Sequence, residues 1–139
     1  MSDILGTGQR ILASQPFSVF LGAELLQLAD GNAELRIPIR DELRQQHGFV
    51  HGGVISYAAD NALTFAGGSV LGADVVTSEF KINYLRPVQG DSLVARAAVV
   101  HRGRTQAVCR CDIFASDQDA DRLCATAQGT IAKLAKPSE

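Results

Sequence analysis

Several things are scarce in this chain of 139 residues, and each absence narrows what it can be. Tryptophan is absent, and the six Phe and two Tyr are scattered. There are only three cysteines, Cys109, Cys111 and Cys124. An odd number in a chain that is not cysteine-dense argues against a disulfide framework. Cys109 and Cys111 stand two apart, so in a strand they share one face. They read as small buried hydrophobes, because a zinc or redox pair lacks CxxC spacing and a second ligand pair. No apolar run approaches the roughly 18 to 20 residues that span a bilayer. The formal net charge of -2 leaves no basic field for nucleic acid. The opening "MSDILGTGQR" has an acid at Asp3 and no long apolar stretch, unlike a secretory signal, so a cytoplasmic location is expected. Linkers, repeats and low-complexity tracts are also missing.

What is present is ordinary for a soluble globular protein: 46% hydrophobic and 20% charged residues. The length suits one domain over residues 1–139. Residues 3–15 carry Ile4, Leu5, Ile11 and Leu12 at helical spacing, which predicts a short helix ending before Pro16. "VFLGAELLQLADGNAELRIPIRDEL" reads as a β-hairpin around "ADGN". Its second run alternates Ala33, Leu35, Ile37 and Ile39 with polar residues, and Pro38 suggests an edge or bulge. Four strand-like runs close the chain: "VVTSEFKINYLRPV", "DSLVARAAVVHR", "TQAVCRCDIFAS" and "RLCATAQGTIAKL". In the first, Phe80, Ile82 and Tyr84 alternate against Lys81 and Asn83. Short turn-like links between the runs argue for antiparallel pairing. The tail "AKPSE" is expected to fray.

Between the second and third runs lies "HGFVHGGVISYAADNALTFAGG", residues 47–68. From Gly52 or Gly53 it is apolar on nearly every side, so it predicts a buried helix, with Gly67 and Gly68 as C-terminal caps. The expected architecture is α+β: a curved antiparallel sheet of about six strands around one central helix. An open sheet edge would favour dimerisation.

Polar residues in that helix are few. Ser56, Asp60 and Thr64 fall at i, i+4 and i+8, a single narrow stripe. A mid-helix carboxylate is costly to bury unless it is paired, and Arg86 or Arg104 could pair with it. Alternatively it is catalytic. The "HGG" start places Gly52 and Gly53 where a helix carries free N–H groups and partial positive charge, which suits an oxyanion. Eight residues separate Gly52 from Asp60, roughly 12 Å along the axis. One helix therefore cannot offer both to one carbonyl, whereas two antiparallel copies can. His47 and His51 at i and i+4 invite a zinc reading, but Asp60 lies too far along the helix, so no metal is expected.

"HGFVHGGVISYAAD", "TSEFKINYLRPVQGD", "HRGRT" and "CATAQGTIAKL", in this order, resemble the PaaI-like group of hotdog-fold acyl-CoA thioesterases over about residues 18–135. The resemblance implies the hotdog fold and a dimer with joined sheets, often paired again into a homotetramer. It implies hydrolysis of an aryl- or medium- to long-chain acyl-CoA, with no metal or redox cofactor. Carried over by position, Asp60 is the base or nucleophile and the Gly52 N–H polarises the carbonyl. Gln45 holds the acyl group or water, and Thr64 and Thr77 assist. His51 fixes the loop before Gly53. Tyr57, Leu63 and Phe80 would line the pocket, while Arg86, Arg102 and Arg104, with the Gly103 backbone between the last two, are candidates for the CoA phosphates or ordinary solvated charges. Two other readings stay open: a hotdog dehydratase of hydroxyacyl thioesters, and a non-catalytic acyl-CoA-binding module.

Overall fold

In the computed structural model residues 3–118 and 120–135 are described. Of the tail expected to fray, residues 136–139 lie outside the described residues. The chain runs α1 (Ile4–Ala13), α2 (Pro16–Leu21), β1 (Glu24–Ala29), β2 (Asn32–Pro38), a 3-10 turn (Asp41–Leu43), α3 (Gly52–Leu71), β3 (Val75–Tyr84), β4 (Ser92–Arg102), β5 (Gln106–Asp117) and β6 (Ala120–Lys133). The strands form one antiparallel sheet in the order β1-β2-β4-β5-β6-β3. The sheet curves around α3, which packs on all six strands. This is the expected α+β hotdog architecture.

The helix can sit so deep because its sheet-facing residues are small. Ala58, Ala59, Ala62, Ala66 and Gly67 are all buried among Leu35, Ile37, Leu93, Ile113 and Ile131. A Cβ on Gly67 would stand 2.7 Å from the Ile131 Cβ, so this glycine exists for close approach. That corrects its expected role as a cap. The helix continues through Gly67 and Gly68 to Leu71 and ends at Gly72, whose φ is +105°.

One further expectation is corrected and one is narrowed. Val19 to Leu21 belong to the short helix α2, not to the first strand. Pro16 occupies its first turn, where a missing N–H costs nothing, and Gly22 at φ +75° ends it. Pro38 marks a local edge and not a bulge, since β2 is flanked there by β4 alone. It closes β2 beyond the last pair with β1, Glu24↔Arg36, while the bulge in that ladder lies between Leu25 and Gln27. The true edges are β1 and β3.

Cys109, Cys111 and Cys124 are free and buried. Burial pushes the Cys109 thiol up to about 11 and the Cys111 thiol up to about 12. Thiolate is the nucleophile and is scarce at pH 8 for such groups. Native protein should therefore resist iodoacetamide at Cys109 and Cys111 at pH 8, with labelling only after denaturation, as read by mass spectrometry. Gly67→Val should lower unfolding stability by about 1–3 kcal/mol through overpacking against β6, measured by urea titration.

Candidate active site

The polar stripe of α3 faces β3, and each of its members meets that strand or its own helix. Asp60 is half-buried; one carboxylate oxygen, Oδ1, accepts a hydrogen bond from the Thr77 hydroxyl. Thr64 Oγ1 donates to the Asp60 carbonyl at 2.8 Å and stands 2.9 Å from Thr77 Oγ1. Asp60, Thr64 and Thr77 thus form one cluster. No arginine joins it: among the described residues Asp60 takes part in no ion pair, which removes Arg86 and Arg104 as its partners. At the other end of the stripe, Ser56 Oγ lies 2.5 Å from the hydroxyl of Tyr84, the last residue of β3. The Tyr84 hydroxyl also donates to the Gly52 carbonyl at 3.2 Å.

The start of α3 is built by its own loop. His51 is the N-cap, and its Nδ1 accepts the Gly53 N–H at 2.8 Å. The Val54 N–H goes to the His51 carbonyl at 3.0 Å. Among the described residues the Gly52 N–H has no acceptor. Of the two glycines, only Gly52 therefore offers a donor; the Gly53 N–H is consumed, which corrects its expected availability. Gln45 lies in the loop leading to the helix. Its N–H donates to the Phe49 carbonyl at 2.8 Å, and its side-chain oxygen accepts the His47 N–H. Gln45, His51 and Gly52 gather at the helix start. Asp60, Thr64 and Thr77 gather two turns further on. The two groups do not converge within one chain, because about 12 Å of helix separates Gly52 from Asp60.

Other expected residues lie elsewhere. Leu63 is fully buried in the core. Tyr57 is turned toward α2: its hydroxyl donates to Ser18, accepts from Asn61 Nδ2 at 2.8 Å, and its ring meets Phe17 edge-on at 5.3 Å. Burial holds the Tyr57 phenol above the usual tyrosine range, more strongly than its bonds to Ser18 and Asn61 lower it. Phe80 packs on the core. None of the three lines the cavity beside α1. That cavity, of about 380 Å³, lies between α1 and the second half of α3, with Ile4, Ile11, Leu28, Phe65 and Val75 on its walls and Thr64 at the edge nearest Asp60. The arginines are exposed at opposite ends of β3. Arg86 follows Tyr84, whereas the Arg102–Arg104 turn lies beside the β3 start, since Thr105 accepts from Lys133 and Lys133 pairs with Val75. The Gly103 N–H is used within its turn, donating to the Gln106 carbonyl at 2.7 Å, and so is closed to a phosphate.

Sequence reasoning missed Tyr84 and the α1 cavity. Tyr84 was grouped with Phe80 and Ile82 by alternation, yet it is 53% exposed and reaches across to the helix start. The signal that could have found it is the Ser56 end of the polar stripe, which needed a partner as much as Asp60 did.

Residues 47–121 match the Thioesterase superfamily. The acyl-coenzyme A thioesterase PaaI of Escherichia coli is 31% identical over 99 residues, 70% of this chain and 70% of that protein. The 1,4-dihydroxy-2-naphthoyl-CoA hydrolase of Listeria monocytogenes is 24% identical over 106 residues, 75% of this chain and 85% of that protein. Among solved structures, a thioesterase family protein from Silicibacter pomeroyi is similar with a TM-score of 0.89 at 35% identity, over 94% of this chain and 98% of that one. With the sheet, the central helix and these likenesses in hand, the chain belongs to the thioesterase superfamily as a PaaI-like hotdog protein, and it is a thioester hydrolase.

Proposed function

We propose that the substrate is an acyl-CoA and that Asp60 and the Gly52 N–H act on its thioester in sites shared between two copies of the chain. The observation that carries this reading is the state of Asp60. It is a half-buried carboxylate held at Oδ1 by Thr77, and among the described residues it has no cationic partner and no bond at Oδ2. As base, Asp60 takes a proton from water while the water oxygen bonds to the carbonyl carbon. The oxyanion so formed is stabilised by the Gly52 N–H. The C–S bond then breaks, and the CoA sulfur receives the proton from Asp60. As nucleophile, Asp60 would instead form a mixed anhydride, which water opens. Transfer of label into Asp60 during a single turnover in heavy-oxygen water would mark the second route. Gln45 orients the acyl group or the water, and Thr64 and Thr77 hold the acid. Neither route uses a metal or redox cofactor.

Gly52 supports its own role. An alanine Cβ there would meet nothing nearer than the Tyr84 hydroxyl at 3.5 Å, an ordinary contact, and the φ of Gly52 is not left-handed. The chain's own packing does not demand glycine at this position. Close approach by a ligand would.

The open edge supports sharing. Thr77 marks the Asp60 end of β3, and Tyr84 marks the Gly52 end. Pairing two β3 edges antiparallel about a two-fold axis sets the Asp60 end of one beside the Gly52 end of the other. The same reversal brings Arg86 of one copy toward the Arg102 and Arg104 turn of the other, where CoA phosphates could meet them.

The cavity near Thr64 is at the small end of ligand pockets, which span about 300–1,000 Å³. It suits an aryl or medium acyl group. Phenylacetyl-CoA and octanoyl-CoA should exceed palmitoyl-CoA in kcat/KM by about tenfold or more, read by release of free thiol. Asp60→Ala should lose about a hundredfold or more in kcat while remaining folded by circular dichroism. Near wild-type turnover would remove Asp60 from the mechanism. Mixing Asp60→Ala with Gly52→Val should restore part of the activity through hybrid dimers. Absence of rescue, with subunit exchange demonstrated by native mass spectrometry, would count against shared sites.

A further inference from the structure

An oxyanion donor must be held still, yet Gly52 and Gly53 form the first turn of a helix, where backbone frays and glycine is most mobile. What fixes this turn is visible in its two carbonyls and three N–H groups. The Val54 N–H is tied to the His51 carbonyl at 3.0 Å and the Gly53 N–H to His51 Nδ1 at 2.8 Å. These bonds are local and would move with the loop. Among the described residues, the one bond in this first turn that comes from the sheet is at the Gly52 carbonyl, which accepts the Tyr84 hydroxyl at 3.2 Å. The phenol has one proton, and Ser56 Oγ lies 2.5 Å from it. Both contacts are satisfied when Ser56 donates to the phenol oxygen and the phenol donates to Gly52.

Tyr84 is itself firmly based. It pairs with Ala125 of β6, and the next two N–H groups, of Leu85 and Arg86, both donate to the Cys124 carbonyl, at 2.7 and 3.1 Å. Within one chain the ring is largely exposed, and its two hydrogen bonds are what tie it to the helix start. We infer that Tyr84 is a positioning residue for the Gly52 N–H. Through the Gly52 carbonyl it holds the peptide between Gly52 and Gly53, and so limits the swing of the Gly52 backbone that carries the preceding N–H. Ser56 sets the phenol proton toward that carbonyl. This inference rests on the proposed role of Gly52 in thioester hydrolysis and adds a residue to it.

The test is Tyr84→Phe, which keeps the ring and removes the hydroxyl. With octanoyl-CoA or phenylacetyl-CoA as substrate, kcat should fall about ten- to hundredfold, below the loss for deleting a direct donor, and KM should change less than about twofold. Amide exchange at Gly53, followed by NMR, should quicken while the middle of α3 stays protected. Ser56→Ala serves as a second variant if Tyr84→Phe folds poorly; its kcat should fall about threefold or more. Unchanged kcat in both variants would overturn the inference while leaving the functional reading intact. A fall in kcat with unchanged exchange at Gly53 would also overturn it, since Tyr84 would then touch the substrate directly. If the wild-type protein releases no CoA from any acyl-CoA, the functional reading fails, and this inference fails with it.

Discussion

Everything in this fold depends on seating an almost wholly apolar helix inside a single sheet. Close approach needs small residues, and the chain supplies a run of alanines with Gly67 at the point nearest Ile131. Burial of this kind gives about 25 cal/mol per Å² of apolar surface, and it forbids polar groups wherever the sheet touches the helix. Only two flanks of α3 escape the sheet's buried face. One looks toward the edge strand β3 and carries Ser56, Asp60 and Thr64. The other looks toward α1 and α2 and carries Tyr57 and Asn61. Any chemistry on this helix has to come from one of these flanks. Among the described residues no buried side-chain nitrogen or oxygen on either flank lacks a hydrogen bond.

A mid-helix aspartate survives on these terms. Its propensity cost is about half a kcal/mol relative to alanine. A hydrogen bond to a charged group contributes about 1.5–3 kcal/mol, so the Thr77 hydroxyl outweighs that cost. An arginine would have satisfied the acid equally well, but it would have occupied the carboxylate more completely. Holding the acid by a neutral hydroxyl at one oxygen stabilises the helix and leaves the other oxygen accessible. The solution that serves stability here is also the one that leaves a carboxylate oxygen unbonded among the described residues.

Much of this was legible in the sequence because periodicity carries it. Alternation marked the strands, the lack of a polar face marked a buried helix, and the i, i+4, i+8 spacing of Ser56, Asp60 and Thr64 marked a stripe. What the stripe faces was not legible, since periodicity orders residues around one element and says nothing of its neighbour. Thr77 comes only through the family resemblance, and alternation groups Tyr84 with Phe80 and Ile82 because it cannot tell an inward ring from one that reaches over an edge. Gly67 looked like a cap for a similar reason: composition shows a glycine, and only the distance to Ile131 shows why. Val19 to Leu21 read as strand because Pro16 can end one helix or begin another, and here it begins one.

One strand stands behind both unusual features of α3. The acid is held by Thr77 and the glycine turn by Tyr84, and these lie toward opposite ends of β3. That strand is also a sheet edge, with its outer backbone groups unpaired within the chain. Its ladder to β6 slips between Thr77 and Glu79, so its twist is uneven where Asp60 is held. A strand that paired with this edge would run against the segment that aims both side chains. Edge pairing and the placement of Thr77 and Tyr84 therefore depend on the backbone of one strand. In the proposed dimer the partner would touch the strand that holds one half of the site while it supplies the other half.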